Sequence, residues 1–107
     1  MKERRKGIRA ISFVRTEVHY NKKYYVGYIV NISGTGCAFA HENLTSVGPG
    51  SEVRVKFRLD GKILNLSSEV CWRDATMMGL RFLKPTATIK KLLRDYIRTV
   101  TLRRVPL

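Results

Sequence analysis

Apolar and polar positions alternate with a period of two through most of the chain. The clearest stretch is EVRVKFRLD at 52–60, where Val53, Val55, Phe57 and Leu59 fall on one face and Arg54, Lys56 and Arg58 on the other. Successive strand side chains point to opposite faces, so the pattern predicts a strand with one buried and one wet side. Asp60-Gly61 then predicts a tight hairpin. The following strand carries Leu64, Leu66, Val70 and Trp72 on one face, and a last strand carries Met78, Leu80 and Phe82.

Upstream, AISFVRTEVHY at 10–20 is rich in β-branched and aromatic residues. Its apolar parity shifts from Ile11 and Phe13 to Val14, Val18 and Tyr20, which predicts a bulge. NKK at 21–23 reads as a turn. Over 24–33, Val26, Tyr28, Val30 and Ile32 are expected to face the core. Tyr25, Gly27, Ile29, Asn31 and Ser33 then fall on the other side, which projects Asn31 and Ser33 away from it. After two glycines, CAFA resumes a short strand, and GPG at 48–50 is a turn signal.

Pro85 ends the strands. Ile89, Leu92, Leu93, Tyr96, Ile97 and Val100 then recur at the spacing of one helix face. They predict an amphipathic helix over about 86–104, with Thr86 or Thr88 as N-cap and Lys90, Lys91, Arg94 and Arg98 on the wet side. Six short antiparallel strands followed by one helix predict a mostly β fold. The expected form is a small barrel or sandwich, with the helix over an open end.

A chain of 107 residues fits one domain. Residues 1–9 read as a flexible basic arm and 10–107 as the domain. Charge changes the picture more than size. There are 21 Lys and Arg against 8 Asp and Glu, a formal +13, which favours polyanionic partners. Cys37 and Cys71, each beside strand-like apolar residues, are expected to be small buried thiols. No signal peptide precedes them, so a reducing cytoplasm is expected. No apolar run approaches the ~20 residues of a membrane span. His19 and His41 lack companions at metal-ligand spacing. Paired carboxylates or a nucleophile with its base are not visible, so an enzyme is the least supported reading.

Two short stretches carry the candidate chemistry. ERRKGIR places Arg5 and Arg9 four residues apart, with Arg4 adjacent. Guanidinium is a planar fork that pairs two-pronged with phosphate and with the O6/N7 edge of guanine. NISGTG at 31–36 interrupts the strand pattern with Gly34 and Gly36, which permit left-handed backbone. Asn31 and Ser33 offer an amide and a hydroxyl to a base edge or phosphate, and Gly36 gives close access to the backbone. The fragment is neither a dinucleotide fingerprint nor a P-loop, since neither a helix nor Gly-Lys-Ser/Thr follows.

Together, RKGIR and NISGTG read R-x-x-x-R and N-x-S-x-x-G, about 20 residues apart. This resembles the PilZ domain family, whose members bind the bacterial second messenger cyclic di-GMP. SEVCW resembles that family's V-x-W strand and MGLRF its closing G-[IL]-x-F strand, so the likeness covers most of the chain. It implies a six-stranded split barrel with a C-terminal helix, acting as a cyclic di-GMP effector or adaptor with no cofactor. Arg5 and Arg9 match the arginines that grip phosphates and guanine edges, and Arg4 matches an extra arginine seen in many members. Asn31 matches the position that bonds guanine, and Ser33 and Gly36 match the residues that seat the ligand. Asn in place of Asp at 31 offers guanine one carbonyl instead of a carboxylate. For Trp72, alternation points to the core, whereas the V-x-W tryptophan of some relatives lies beside the ligand.

The resemblance implies a cytoplasmic protein that signals when its arm docks, through a protein partner, in motility, pilus function or polysaccharide production. Docking a loose arm costs about 1–2 kcal/mol of backbone entropy per residue, so moderate affinity is expected. Two alternatives stand beside it. One is a basic β-barrel that binds nucleic acid, recognised by a steep salt dependence. The other is a PilZ fold used only for protein interaction.

Overall fold

Two hairpins set the framework. Asn21 and Lys22 both take left-handed backbone (φ 52° and 64°), as do Asp60 and Gly61 (φ 49° and 79°). Such two-residue turns match the right-handed twist of the strands they join. The computed structural model describes residues 10–41 and 47–103. The elements are β1 (Ala10–Tyr20), β2 (Lys23–Ile32), β3 (Gly36–Ala40), β4 (Glu52–Leu59), β5 (Lys62–Arg73), β6 (Met77–Phe82) and α1 (Ala87–Arg103). The strands are antiparallel and close into a barrel in the order β1-β2-β3-β6-β5-β4. Closure leaves no sheet edge to satisfy.

The barrel is filled from every strand by Val18, Ile29, Ile32, Phe39, Val55, Phe57, Leu64, Leu66, Val70, Met78, Leu80 and Phe82. Helix α1 adds Leu93 and Ile97 to the same core, with Ile89, Leu92, Tyr96 and Val100 packed against it. The Thr86 hydroxyl caps the helix by accepting from the Ile89 amide at 3.2 Å. Strand β4 alternates strictly between exposed and buried positions, as its sequence predicts.

Three register shifts interrupt the ladders. The one in β1, between Ile11 and Val14, is the predicted bulge. The other two overturn expectations. In β2 the pairs Ile29–Phe39 and Asn31–Ala38 leave one extra residue between them. As a result Gly27 and Ile29 face inward while Tyr28 is exposed, the reverse of the expected parity; beyond the bulge Ile32 is buried as expected. Position 27 requires glycine because a Cβ there would run into the Ala40 carbonyl and the Phe39 ring. In β5 the shift lies between Val70 and Trp72. It turns Trp72 out of the core, leaving it 46% exposed, and leaves Cys71 exposed while Cys37 is buried. Both were expected inside.

Candidate ligand cleft

Both unexpected bulges open onto one place. Beyond them, backbone pairing lines up Asn31 of β2, Ala38 of β3, Gly79 of β6 and Trp72 of β5 in one row across four strands. The row lies on the outer surface. Two small residues form its middle, so the wall dips between an amide and an indole. The cleft so formed has a volume of about 570 Å³, and its lining includes Asn31, Thr35, Gly36, Cys71, Trp72 and Arg81. That size suits a small-molecule site.

Ser33 does not project into this space. It is buried, and its hydroxyl shapes the turn: Oγ accepts from the amides of Thr35 and Gly36, each at 3.2 Å. The Ser33 amide donates to the Gly36 carbonyl at 2.8 Å, and the Phe82 amide to the Thr35 carbonyl at 2.8 Å. The turn is thereby fastened both to itself and to β6. Neither Gly34 nor Gly36 adopts left-handed backbone. Gly36 is required for a different reason: a Cβ there would collide with the Leu80 carbonyl oxygen of β6. Of the NISGTG residues, then, Asn31 borders the cleft with its side chain, Gly36 lines it with backbone, and Ser33 holds the turn from behind.

Among the described residues, Arg81 is the one charged side chain lining the cleft. It lies in the next transverse row, between Gly36 of β3 and Glu69 of β5. Its guanidinium donates to the Glu69 carboxylate. This bond, with smaller help from Cys71, raises the arginine above its ordinary pKa. Arg81 is exposed and Glu69 partly so, and the pair orients the fork more than it stabilises the fold.

Arg4, Arg5 and Arg9 lie outside the described residues. Their attachment point does not. Ala10 pairs with Ile32 and Ile11 with Asn31, so the first described residue sits at the Asn31 end of the row. Residue 9 is one peptide bond from it. Arg81, Thr35 and the small pair Ala38 and Gly79 were missed from sequence. The available signal was Gly79, a single glycine in a strand otherwise made of bulky residues.

The fold has close relatives among solved structures. The inhibitor of motility MotI/DgrA of Bacillus subtilis superposes with TM-score 0.83 at 18% identity, over 97% of this chain and 54% of that one. The chain thus spans about half the length of that protein. The PilZ domain with c-di-GMP of YcgR from Escherichia coli gives 0.82 at 10% identity, over 94% of each chain. The PilZ domain of CeSA from a cellulose-synthesizing bacterium gives 0.72 at 15% identity, over 88% of this chain and 98% of that one. At these identities the likeness is one of fold. No curated protein sequence matches the chain. A sequence model of the PilZ domain matches residues 3–99, from the paired arginines to the C-terminal helix, and the chain belongs to the PilZ domain family.

Proposed function

We propose that this protein is a cyclic di-GMP-binding effector, and that the cleft between Asn31 and Trp72 receives the ligand. The observation that carries the reading is where the described part of β1 begins. The segment bearing Arg4, Arg5 and Arg9 joins the barrel at Ala10, beside Ile32, and the N-x-S-x-x-G turn borders the cleft from the same side. The ligand carries two phosphates and two guanines. The arm's arginines supply positive charge and planar forks. Asn31 supplies a polar edge for guanine, and the exposed indole of Trp72 supplies a stacking surface. Arg81 adds a cation fixed on the barrel itself.

Residues 1–9 act as an arm that closes over bound ligand, and arm closure is the signal passed to a protein partner. The protein works in the cytoplasm as a binding module, with no cofactor and no catalytic step. That YcgR's PilZ domain is solved with c-di-GMP and that MotI is an inhibitor of motility support this reading over a nucleic-acid-binding barrel.

Isothermal calorimetry with cyclic di-GMP, using GTP as control, tests it. Saturable heat with cyclic di-GMP alone is expected, lost in Arg5→Ala and in Arg9→Ala while both variants keep the wild-type circular dichroism spectrum. Absence of heat with the wild-type chain, or equal heat with GTP, overturns the proposal.

A further inference from the structure

The wall opposite the cleft has a composition that cyclic di-GMP binding does not require. In the closed order of strands, β1 and β4 lie across the barrel from β6 and β3. The outward residues of β2, β1, β4 and β5 fall into neighbouring rows. One is Tyr24, His19, Arg54 and Ser67, and the next is Val26, Glu17, Lys56 and Asn65. In a third, Tyr28 pairs with Arg15 and Arg58 with Ile63, and Arg15, Arg58 and Ile63 line one shallow dip. The three rows hold four cations and a single acid, Glu17, which is bonded to His19 at 3.0 Å.

Exposed apolar residues concentrate on the same wall. Among the described residues five large apolar side chains are exposed. Trp72 belongs to the cleft. The other four are each more than half exposed: Tyr28 pairs with Arg15, Ile63 with Arg58, Tyr24 with His19 next to Arg54, and Phe13 precedes Arg15 by two residues on β1. Chance scatter leaves single apolar residues anywhere on a surface, but not four on one basic wall.

We infer that this wall docks on an anionic lipid surface. Cations on the central strands, with Tyr24 and Tyr28 at one margin, Ile63 at the other and Phe13 near the start of β1, match a medium that offers negative headgroups and apolar depth at every lateral position. Arginine and lysine contact headgroup phosphates while aromatic rings settle at the headgroup level. A folded protein partner would need a separate matching pocket for each of four dispersed side chains. A single-stranded nucleic acid would need ring faces to stack on, but Tyr24 already has one face against the His19 ring, with centroids 5.5 Å apart, and Ile63 has none. Docking leaves the cleft on the far side free, so lipid and nucleotide can be held at once.

The test is co-sedimentation of the full chain with vesicles of phosphatidylcholine, with and without about one-quarter phosphatidylglycerol, since each Lys or Arg at an anionic surface is worth about fivefold in affinity. Binding only to the anionic vesicles is expected. Arg15→Glu/Arg58→Glu is expected to lower it at least about tenfold. Tyr28→Ser/Ile63→Ser leaves the charge unchanged and is expected to lower it several-fold. Lys90→Glu/Arg94→Glu makes the same charge change on the exposed face of α1, outside the three rows, and is expected to lower binding clearly less. Equal loss in the two charge-reversed variants overturns the inference, since binding would then follow net charge and not this wall. So does wild-type chain that ignores anionic vesicles, including the case in which it binds a short oligonucleotide through Arg15 and Arg58 instead. Thermal melts of each variant separate lost contact from lost fold.

Discussion

Trp72 faces Gly79 across the β5–β6 ladder, and its indole fills the space a side chain at Gly79 would occupy. The ring thus lies over the barrel wall, with about half its surface left to solvent. A guanine stacked on that free face would displace water from both rings. Trp72→Ala is therefore expected to weaken cyclic di-GMP binding about tenfold to a hundredfold, the usual value of one base–aromatic stack. Its melting temperature should fall less than that of a core truncation, because the half-exposed indole lies outside the buried core cluster. Calorimetry beside a thermal melt checks both halves. Quenching of the single tryptophan's fluorescence by cyclic di-GMP gives an independent reading in the wild type.

Ser33 and Asn31 are two residues apart yet should fail in opposite ways. Ser33→Ala leaves the Thr35 and Gly36 amides without their acceptor in a part-buried turn, which costs about 1–3 kcal/mol. For a domain of this size each kcal/mol lowers the melting temperature by about 4–8 °C. Asn31→Ala removes a half-buried amide from the cleft rim and is expected to weaken the ligand more than it lowers the melt. A calorimetric titration and a thermal scan on the pair of variants distinguish them. Equal melting temperatures would contradict the role given to the Ser33 hydroxyl.

Where polar residues mark the wet face, the sequence was legible. Strand β4, both hairpins and the capped helix emerged because Arg54, Lys56 and Arg58, or Lys90 and Arg94, punctuate the apolar positions. The β2 parity was not legible, because Tyr25, Val26, Tyr28, Ile29 and Val30 are apolar on both sides and periodicity has nothing to sort. The extra residue, Val30, leaves no compositional trace for the same reason. In β5, Cys71 and Trp72 both pass for core residues, and only the pairing with Gly79 reveals the bulge. The motif spelled N-x-S-x-x-G correctly named a site, but the division of labour within it depends on which side chains the turn uses for itself.

The β5–β6 turn supplies a pH-dependent element. The Asp74 carboxylate accepts from the Thr76 amide at 2.9 Å and the Met77 amide at 2.8 Å. Those backbone bonds hold its pKa below the ordinary 3.8. A carboxyl depressed on folding stabilises above its unfolded pKa, and that contribution is lost as the pH falls through the folded value. Asp74→Asn keeps an acceptor oxygen but cannot titrate. Its melting temperature is expected to fall less than that of the wild type when the pH drops below about 4. Parallel acid-dependent curves would remove Asp74 from the account.

Arg81 is held by Glu69 in a position where a phosphate would compete for the same fork. The carboxylate keeps the guanidinium pointed along the wall, but it also cancels charge that a dianionic ligand would use. The two residues should therefore respond with opposite signs. Arg81→Ala is expected to weaken cyclic di-GMP about tenfold to a hundredfold, the range for a charge-assisted hydrogen bond, and Arg81→Lys to recover only part, since an ammonium lacks the two-pronged geometry. Glu69→Gln still accepts from Arg81 and removes one negative charge beside the ligand, so binding should tighten about two- to fivefold, most visibly at low salt. If Glu69→Gln instead weakened binding as much as Arg81→Ala, the carboxylate's orienting role would outweigh its repulsion. Unchanged affinity in Arg81→Ala would leave the arm as the sole source of positive charge for the ligand.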